Sequence, residues 1–290
     1  MADAIERFVH DGTTVAIGLA LEPLIPFAAG HEMIRQERRD LELVGPISDA
    51  LFDQLIGAGC VRRVTAAWAG NVSEGLGHCY RRAAEESIPR PIELRDHSNF
   101  SISLALWAAA WNVPSLPART LLGSDILRTN PDLVSGFGVV HVGAVRPDVA
   151  VVHVQRADSL GRAHAWGPLG ITEEGGLAAE HVIITCEELV EPTVTLSDPN
   201  RILFPESKVA AVVHEPGGAH PSPVQGHFKR DHAFFHDYAE QSRTSDGYQA
   251  WLKRWVLAVP DRNTYLTQVD LEAVRIKGQR LSTPANYADE

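Results

Sequence analysis

Short apolar runs alternate along the chain with segments in which apolar residues recur at the spacing of a helix. The first runs occupy residues 13–18, 41–45, 61–67 and 91–96. Apolar runs that do not alternate strictly with polar positions are typical of strands buried on both faces. Because helical patterns at residues 23–40 and 48–59 separate the early runs, the pattern predicts a parallel sheet whose strands are joined by helices.

The strand pattern is interrupted in the middle of the chain and then returns. Residues 124–143 are rich in glycine, proline and asparagine, which indicates a long excursion of a kind that is often functional or disordered. Further strand patterns occur at residues 147–155, 181–189 and 208–216. We therefore predict an α/β fold with an open, mostly parallel sheet covered by helices. It forms one domain over residues 1–290, with a helical C-terminal part from about residue 231.

A polar cluster, Asp96-His97-Ser98-Asn99, follows the fourth predicted strand and precedes a very apolar stretch. Ligand sites in open α/β sheets lie at the carboxyl ends of the strands, so the cluster indicates a ligand pocket. Ser98 and Asn99 begin the next helix, and their N–H groups point toward that edge. The alternative for Ser98 is a plain helix N-cap. The cluster contains no glutamate, lysine or cysteine to act as a nucleophile.

Three turns combine small residues with the ends of predicted strands. Gly18 ends the first strand, which is apolar on both faces and is therefore expected at the centre of the sheet, with its end open to the crevice. Its turn either presents N–H donors to an oxyanion or simply joins a strand to a helix. Gly123-Ser124 allows the same two interpretations. The loop at residues 214–226 contains Gly217-Gly218, for which a structural turn with a capping histidine is favoured.

The common catalytic motifs do not explain the chain. It has no Gly-Lys-Ser/Thr of a P-loop and no Gly-x-Ser-x-Gly elbow. His232 and His236 stand four residues apart on a predicted helix, but no third ligand accompanies them, so a polar helix face is favoured over zinc. Glu187 and Glu188 close an apolar strand, and we expect them to face water; a buried structural role is the next alternative.

Composition excludes several classes of protein. The net charge of −11 argues against a nucleic-acid-binding protein. No run approaches the ~18 apolar residues of a membrane span. The first residues, MADAIERFVHDG, lack the basic and apolar regions of a signal peptide. The three cysteines are unpatterned, which is typical of reduced thiols in the cytoplasm. We therefore expect a cytoplasmic protein without a metal site.

Several linked stretches resemble the α subunit of family I coenzyme A transferases, of the glutaconate CoA-transferase type. The resemblance extends over nearly the whole chain and keeps the order of the family's motifs. It includes the stretches DAIERFVHDGTTVAIG, AAAWNVPSLPAR with LGSDI, DVAVVHVQRADSLGRAHAWG, VIITCEELV, GGAHPSPVQG and YAEQSRTSDGYQAWLKRWV. The fold that this family implies, a CoA-transferase-like open α/β sheet, agrees with the strand pattern.

The resemblance also implies a mechanism and a partner. In this family a glutamate carboxylate attacks an acyl-CoA thioester, the thiolate leaves, and CoA then returns to the activated glutamate as a thioester. In two-subunit members that glutamate belongs to the β subunit. The resemblance therefore implies an α subunit with no catalytic nucleophile of its own, in a heterodimer or heterotetramer with a β subunit. Coenzyme A is a co-substrate, and no tightly bound cofactor is implied.

The polar cluster and the two glycine turns would then line a shared pocket. Their role is to bind substrate and to donate to the oxyanion that forms on the thioester carbonyl. The residues that we assign to it are Gly18, Leu19, Ser98, Asn99, Gly123 and Ser124.

Two departures from the family pattern affect the substrate and the reaction. Leu19 stands where the α subunits usually have a second glycine, and Leu24-Ile25-Pro26 replaces a basic pair. A basic pair suits carboxylates, so its loss favours a more apolar acyl group over a dicarboxylate. Asn99 stands where related ring-opening CoA hydrolases carry a glutamate, and an amide is no general base. The alternatives that remain are a subunit of an acyl-CoA hydrolase and a non-catalytic subunit that stabilises its partner.

Overall fold

A computed structural model describes residues 1–276 of the chain. Its strands are β1 (Thr14–Ile17), β2 (Leu41–Gly45), β3 (Val61–Ala66), β4 (Gly70–Asn71), β5 (Gly75–Leu76), β6 (Glu93–Asp96), β7 (Ser115–Ala118), β8 (Leu133–Gly136), β9 (Val139–Gly143), β10 (Val149–Asp158), β11 (Ala163–His164), β12 (His181–Val190) and β13 (Val209–His214). Its helices are α1 (Ala2–Phe8), α2 (Phe27–Arg35), α3 (Asp49–Gly57), α4 (His78–Glu86), α5 (Asn99–Ala110), α6 (Asp125–Thr129), α7 (Thr172–Ala178), α8 (Pro192–Leu196), α9 (His232–Ser242), α10 (Ser245–Leu252), α11 (Arg262–Leu266) and α12 (Leu271–Val274). Short 3₁₀ turns at Pro199–Arg201 and Glu206–Lys208 and a π-helical turn at Lys253–Leu257 complete the set.

The main sheet has the strand order β13-β12-β10-β1-β2-β3-β6, and β11 pairs with β10. All neighbours along this order are parallel, whereas β11 is antiparallel. The predicted open, mostly parallel sheet is therefore confirmed. The strand β1 lies at its centre, as its apolar character on both faces predicts.

Each face of the sheet is covered by its own apolar layer. Val15 and Ile17 of β1 point into a core built with α1, α2, α3, α9 and α10. Ala16, between them, points to the other face, where α5 and the strands β8 and β9 pack. This opposite orientation follows from the two-residue repeat of a strand. Burial on both faces explains why the strand shows no polar alternation in the sequence.

Residues 124–143 leave the main sheet, as predicted, but they have a structure of their own. They form α6 and the hairpin β8–β9, which joins β7 in an antiparallel sheet of order β7-β9-β8. The inner side of this small sheet places Leu133, Val140 and Val142 against α5. The strands are short and interrupted by glycine, so their pattern was too weak for the sequence to predict.

The helical C-terminal part begins close to the predicted position, with α9 starting at His232. Its aromatic side chains pack edge to face; the rings of Tyr238 and Trp251 lie 4.8 Å apart between centroids. The Tyr238 hydroxyl also donates to the buried carboxylate of Asp53 in α3, which fixes α9 to the first layer of helices. Within residues 1–276, no helix is both long and apolar enough to cross a membrane.

Candidate functional site

The end of β1 is covered, which contradicts the expectation that it opens into the crevice. Gly18 has a φ of +68°, and a Cβ atom placed on it would lie 2.8 Å from the Cα atom of Ser48. The Ser48 hydroxyl donates to the carbonyl of Ile17 at 2.7 Å. Leu19 is 3% exposed, and its carbonyl accepts from the N–H of Ile171 at 2.9 Å. The neighbouring loops therefore occupy the space, and the assigned role of Gly18 and Leu19 stays a prediction.

A buried ion pair joins three of the loops at the carboxyl edge of the sheet. Arg230 donates to the carboxylate of Asp49, which is fully buried, and to the hydroxyl of Ser73 at 3.0 Å. Its guanidinium lies 3.7 Å above the ring of Phe235. Burial raises the pKa of Asp49, and the hydrogen bond from Arg230 opposes that rise. The pair ties the loop after β2 to the β4–β5 hairpin and to the segment before α9.

No local sequence pattern indicates this ion pair. Asp49 looks like an ordinary acidic residue in the first turn of a helix, and Arg230 lies 181 residues further along the chain. In the structure, the backbone beside Asp49 is strained: Ser48 and Asp49 both have positive φ values, 57° and 43°. Non-glycine residues in this region persist only when their surroundings hold them there, and such a constraint is visible only in three dimensions.

The polar cluster lies at the end of β6, as predicted, and its residues differ in what they can offer a ligand. The Ser98 hydroxyl accepts from the N–H of Ser101 at 3.0 Å, and the Ser101 hydroxyl accepts from the N–H of Ser98 at 2.9 Å. This capping box confirms the N-cap interpretation of Ser98. Asn99 is exposed as the first residue of α5. Of the side chains of Ser98 and Asn99, the Asn99 amide is therefore the one that faces outward.

His97 is the buried member of the cluster. It is 1% exposed, and its Nδ1 atom lies 3.1 Å from the Ser101 hydroxyl. Its Nε2 atom is buried without a hydrogen-bond partner among residues 1–276. Burial lowers the pKa of His97 to about 4, so the imidazole is neutral at pH 7 and supports the start of α5 as an uncharged group.

Burial of His97 predicts a pH dependence of stability. In the unfolded chain the imidazole takes up a proton near its ordinary pKa of 6.5, whereas in the folded protein it does so only near 4. Stability is therefore lost as the pH falls through this window. Between pH 6.5 and 5 the loss from this one group is about 1.6 kcal/mol. The free energy of unfolding is measured in urea at both pH values. Between pH 6.5 and 5 we expect it to fall by about that much less in His97→Asn than in the wild type. Equal falls would contradict this assignment.

Gly123 and Ser124 lie on the segment next to β6. The Ser124 hydroxyl caps α6 by accepting from the N–H of Leu127 at 3.3 Å. At the far end of α6, the Asn130 amide donates to the carbonyl of Asp96 at 2.8 Å. Gly123 has a φ of +77° and no atom within 4 Å of the position of a Cβ. The segment is therefore open and tied to the polar cluster.

The assigned residues thus fall into two groups. Ser98 and Asn99 follow β6 at the start of α5, and Gly123 and Ser124 lie on the segment beside β6. Gly18 and Leu19 follow β1, and the strands β2 and β3 lie between β1 and β6. Three strand spacings correspond to about 14 Å. One small acyl group therefore does not contact both groups at once.

A small cavity lies beside the polar cluster, and no sequence pattern predicted it. It has a volume of about 80 Å³, and its walls include Trp68, Leu76, Leu94 and the exposed Asp96. Tyr80 also lines it, and burial, followed by the charge of Asp96, raises the pKa of its phenol. With a carboxylate and a neutral phenol beside apolar side chains at its walls, this slot can hold the end of a small acyl group. Trp68, Leu76 and Tyr80 lie where the sequence predicted no element.

Of the two glutamates that close β12, Glu187 has a structural role. Glu187 is 8% exposed and accepts from His153 Nε2 and from the N–H of Gly217, both at 2.9 Å. The expectation that it faces water is therefore wrong, whereas Glu188 is exposed. Burial raises the pKa of Glu187, but these hydrogen bonds outweigh it and leave the pKa lowered.

The loop at residues 214–226 is a structural turn, as favoured. The imidazole of His220 joins the Tyr265 hydroxyl, at 2.9 Å, to the Asp231 carboxylate, at 3.0 Å. Arg262 donates to the carbonyl of Gly217 at 2.6 Å.

His232 and His236 contact the β4–β5 hairpin. His232 lies 3.4 Å from the Ser73 hydroxyl, and His236 lies 3.2 Å from the Glu74 carboxylate. Within residues 1–276, no group of three or more histidine, cysteine, aspartate or glutamate residues is arranged to hold a metal ion.

Comparison with known proteins adds the chemistry. The model of the coenzyme A transferase family matches residues 1–215. The A-type chain of the 3-oxoadipate CoA-transferase of Pseudomonas knackmussii is 37% identical over 93% of this chain and 96% of its own. The A-type chain of the glutaconate CoA-transferase of Acidaminococcus fermentans is 30% identical over 93% of this chain and 90% of its own.

The fold agrees with these sequence relationships. The crystal structure of glutaconate coenzyme A-transferase from Acidaminococcus fermentans superposes with a TM-score of 0.86. The superposition covers 95% of this chain and 94% of that chain, at 28% sequence identity.

Proposed function

The chain belongs to the coenzyme A transferase family, and we propose that it is the α subunit of a heteromeric CoA-transferase. The enzyme moves CoA between an acyl-CoA and an organic acid through a glutamyl-CoA thioester on a partner β subunit. The observation that carries the proposal is the match to the A-type chains of two CoA-transferases along 93% of the chain. The geometry agrees, because the exposed groups at the end of β6 can orient a substrate but include no glutamate.

This chain contributes orientation and charge stabilisation to the reaction. When a carboxylate attacks the thioester carbonyl, negative charge develops on the carbonyl oxygen, and N–H donors near it stabilise that charge. The amide of Asn99 and the N-terminal N–H groups of α5 supply such donors. The end of the acyl group that is remote from the thioester lies in the cavity beside Trp68 and Leu76. No net proton is transferred in this step, because a carboxylate anion attacks and a thiolate anion leaves.

The proposal also covers the domain, the oligomer, the co-substrate and the cellular compartment of the enzyme. Residues 1–290 form one domain, which builds a heterodimer or heterotetramer together with the β subunit. Coenzyme A acts as a co-substrate, and no cofactor is tightly bound. The protein works in the cytoplasm, where its three unpaired cysteines suit a reducing compartment.

The substrate is an organic acid whose carboxylate exchanges with that of the acyl-CoA. The names of the two relatives mention 3-oxoadipate and glutaconate, which are dicarboxylates. The basic pair that suits a second carboxylate is replaced here by Leu24-Ile25-Pro26, and Leu24 and Ile25 are buried. A panel of mono- and dicarboxylic acids of equal length, assayed as CoA acceptors, decides which class the site prefers.

Replacing Asn99 with alanine is expected to lower kcat/KM of the assembled enzyme by about 10²-fold, the usual effect of losing one oxyanion donor. Assembly should change little, because alanine only shortens the side chain and is a good helix former at the first position of α5. The matched control is Asn263→Ala, which removes an exposed asparagine from α11. Wild-type kinetics for Asn99→Ala would remove this residue from the site.

The function is tested by producing the chain with and without a candidate β-type chain, which is sought among the neighbouring genes. We expect the pair to exchange CoA between an acyl-CoA and a labelled acid, and the single chain to show no exchange. If the pair instead releases free CoA with no transfer to the acid, the hydrolase alternative holds. If the β chain is fully active alone, this chain is a non-catalytic stabilising subunit.

A further inference from the structure

Helix α5 exposes an apolar stripe. No charged residue occurs anywhere in α5 (Asn99–Ala110). Phe100, Leu104, Trp107 and Trp111 follow one another at spacings of four, three and four residues, which places them on one side of the helix. Phe100 is 57% exposed and Trp111 is 60% exposed, while Leu104 and Trp107 are partly exposed. We call these four residues the α5 stripe.

The opposite side of α5 is already used. Ile102, Ala105 and Leu106 are fully buried in the core between the main sheet and the small antiparallel sheet. A helix at a protein surface normally carries polar residues on its outer side, whereas a helix that is apolar all round is normally buried on all sides. Leu104 packs partly against this core, but within residues 1–276 the side chains of Phe100 and Trp111 stay more than half exposed. Its composition therefore fits a surface that becomes buried when another protein binds.

A groove beside the stripe adds depth to this surface. It has a volume of about 490 Å³, and its walls include Trp107, Trp111, Leu177 and Ala178, at the C-terminal ends of α5 and α7. The rings of Trp107 and Trp111 lie 5.3 Å apart between centroids. Large aromatic residues beside a groove are typical of positions that carry most of the binding energy at a protein interface.

We propose that the α5 stripe is the surface on which the β subunit docks; this inference rests on the proposed function. The stripe begins one residue after Asn99 and extends about 17 Å along the helix. A β subunit seated on it reaches Asn99 directly, as it must if its glutamate is to attack a thioester held there. A second copy of this chain at the same place would cover Asn99 and exclude the nucleophile. The position of the stripe therefore favours docking of the β subunit over docking of a second copy.

The test uses charged substitutions at the two most exposed positions. Phe100→Glu and Trp111→Glu are compared with Leu257→Glu, because Leu257 is 53% exposed but lies in the helical C-terminal part on the other face of the sheet. Affinity for the β-type chain is measured by sedimentation, and folding by thermal melting. We expect each stripe variant to weaken β binding by 30-fold or more, roughly the effect of losing one binding hot spot. Melting of the isolated variants and β binding by Leu257→Glu should match the wild type.

The other outcomes are equally informative. If the wild-type chain binds no β-type chain, the proposed function itself fails. If the wild type and the stripe variants bind the β chain equally well, only the docking proposal fails. Loss of self-association of the isolated chain, with β binding intact, would assign the stripe to a second copy. If removal of residues 277–290 increases the quenching of tryptophan fluorescence by a dissolved quencher, the stripe is assigned to the chain's own C-terminus. Either of these last two results overturns the proposal.

Discussion

Gly18→Val is expected to destabilise the protein by on the order of 4 kcal/mol, which corresponds to a fall in Tm of about 10 °C. Two effects combine. Gly18 has a φ of +68°, where a β-branched residue is strained, and its Cβ would lie 2.5 Å from the hydroxyl and 2.8 Å from the Cα atom of Ser48. Ser48 cannot move aside easily, because its own φ is 57° and its hydroxyl donates to Ile17.

Gly123→Val separates backbone strain from crowding. Gly123 has a similar φ of +77°, but no atom lies within 4 Å of its Cβ position. We expect it to cost only the strain, about 1–3 kcal/mol. Turnover per folded molecule is measured on both variants in the assembled enzyme. If Gly18→Val keeps the wild-type Tm but loses turnover, Gly18 acts as an oxyanion donor and its packing role is minor.

Arg230→Met is expected to cost about 3–5 kcal/mol, because it leaves the buried carboxylate of Asp49 without its partner. Methionine keeps an unbranched apolar side chain at this position, although the stacking of the guanidinium on Phe235 is lost as well. The loss should be smaller at pH 5 than at pH 7. Without Arg230 the pKa of Asp49 in the folded protein rises further above its value in the unfolded chain. The loss of stability therefore grows as the pH rises from the unfolded pKa toward the folded pKa, because the buried carboxyl group must then ionise without a partner.

A second substitution tests whether the lost partner is the cause. Asn at position 49 can still accept from the N–H groups of Ala50 and Val72, which now donate to Asp49 at 2.9 and 3.0 Å. We therefore expect Arg230→Met/Asp49→Asn to be more stable than Arg230→Met alone. Additive losses in this double-mutant cycle would show that the two side chains do not depend on each other.

The main sheet could be predicted from the sequence because burial on both faces leaves a direct trace in it. The strand β1 is apolar at successive positions since Val15 and Ala16 face two different cores. The β4–β5 hairpin left no such trace, because each strand has two residues and β5 is exposed. The small sheet around β9 was also missed, because its strands β7, β8 and β9 have only four or five residues each.

The site was predictable where it depends on strand ends and unpredictable where it depends on distant contacts. The cluster at Ser98 and Asn99 follows from the position of a polar run after a strand. That the end of β1 is closed depends on Ser48 and on the loop at Ile171, which no local pattern announces. The exposed side of α5 could not be predicted either, because an apolar stretch does not reveal which side other parts of the chain cover.

The central claim is that this chain is the α half of a CoA-transferase whose nucleophile lies in another chain. The most direct measurement is the intact mass of both chains after the assembled enzyme is incubated with an acyl-CoA and no acceptor acid. The claim predicts a CoA adduct on the β chain, released when an acid is added, and an unchanged mass for this chain. A CoA adduct on this chain, or exchange activity of this chain alone, would contradict it.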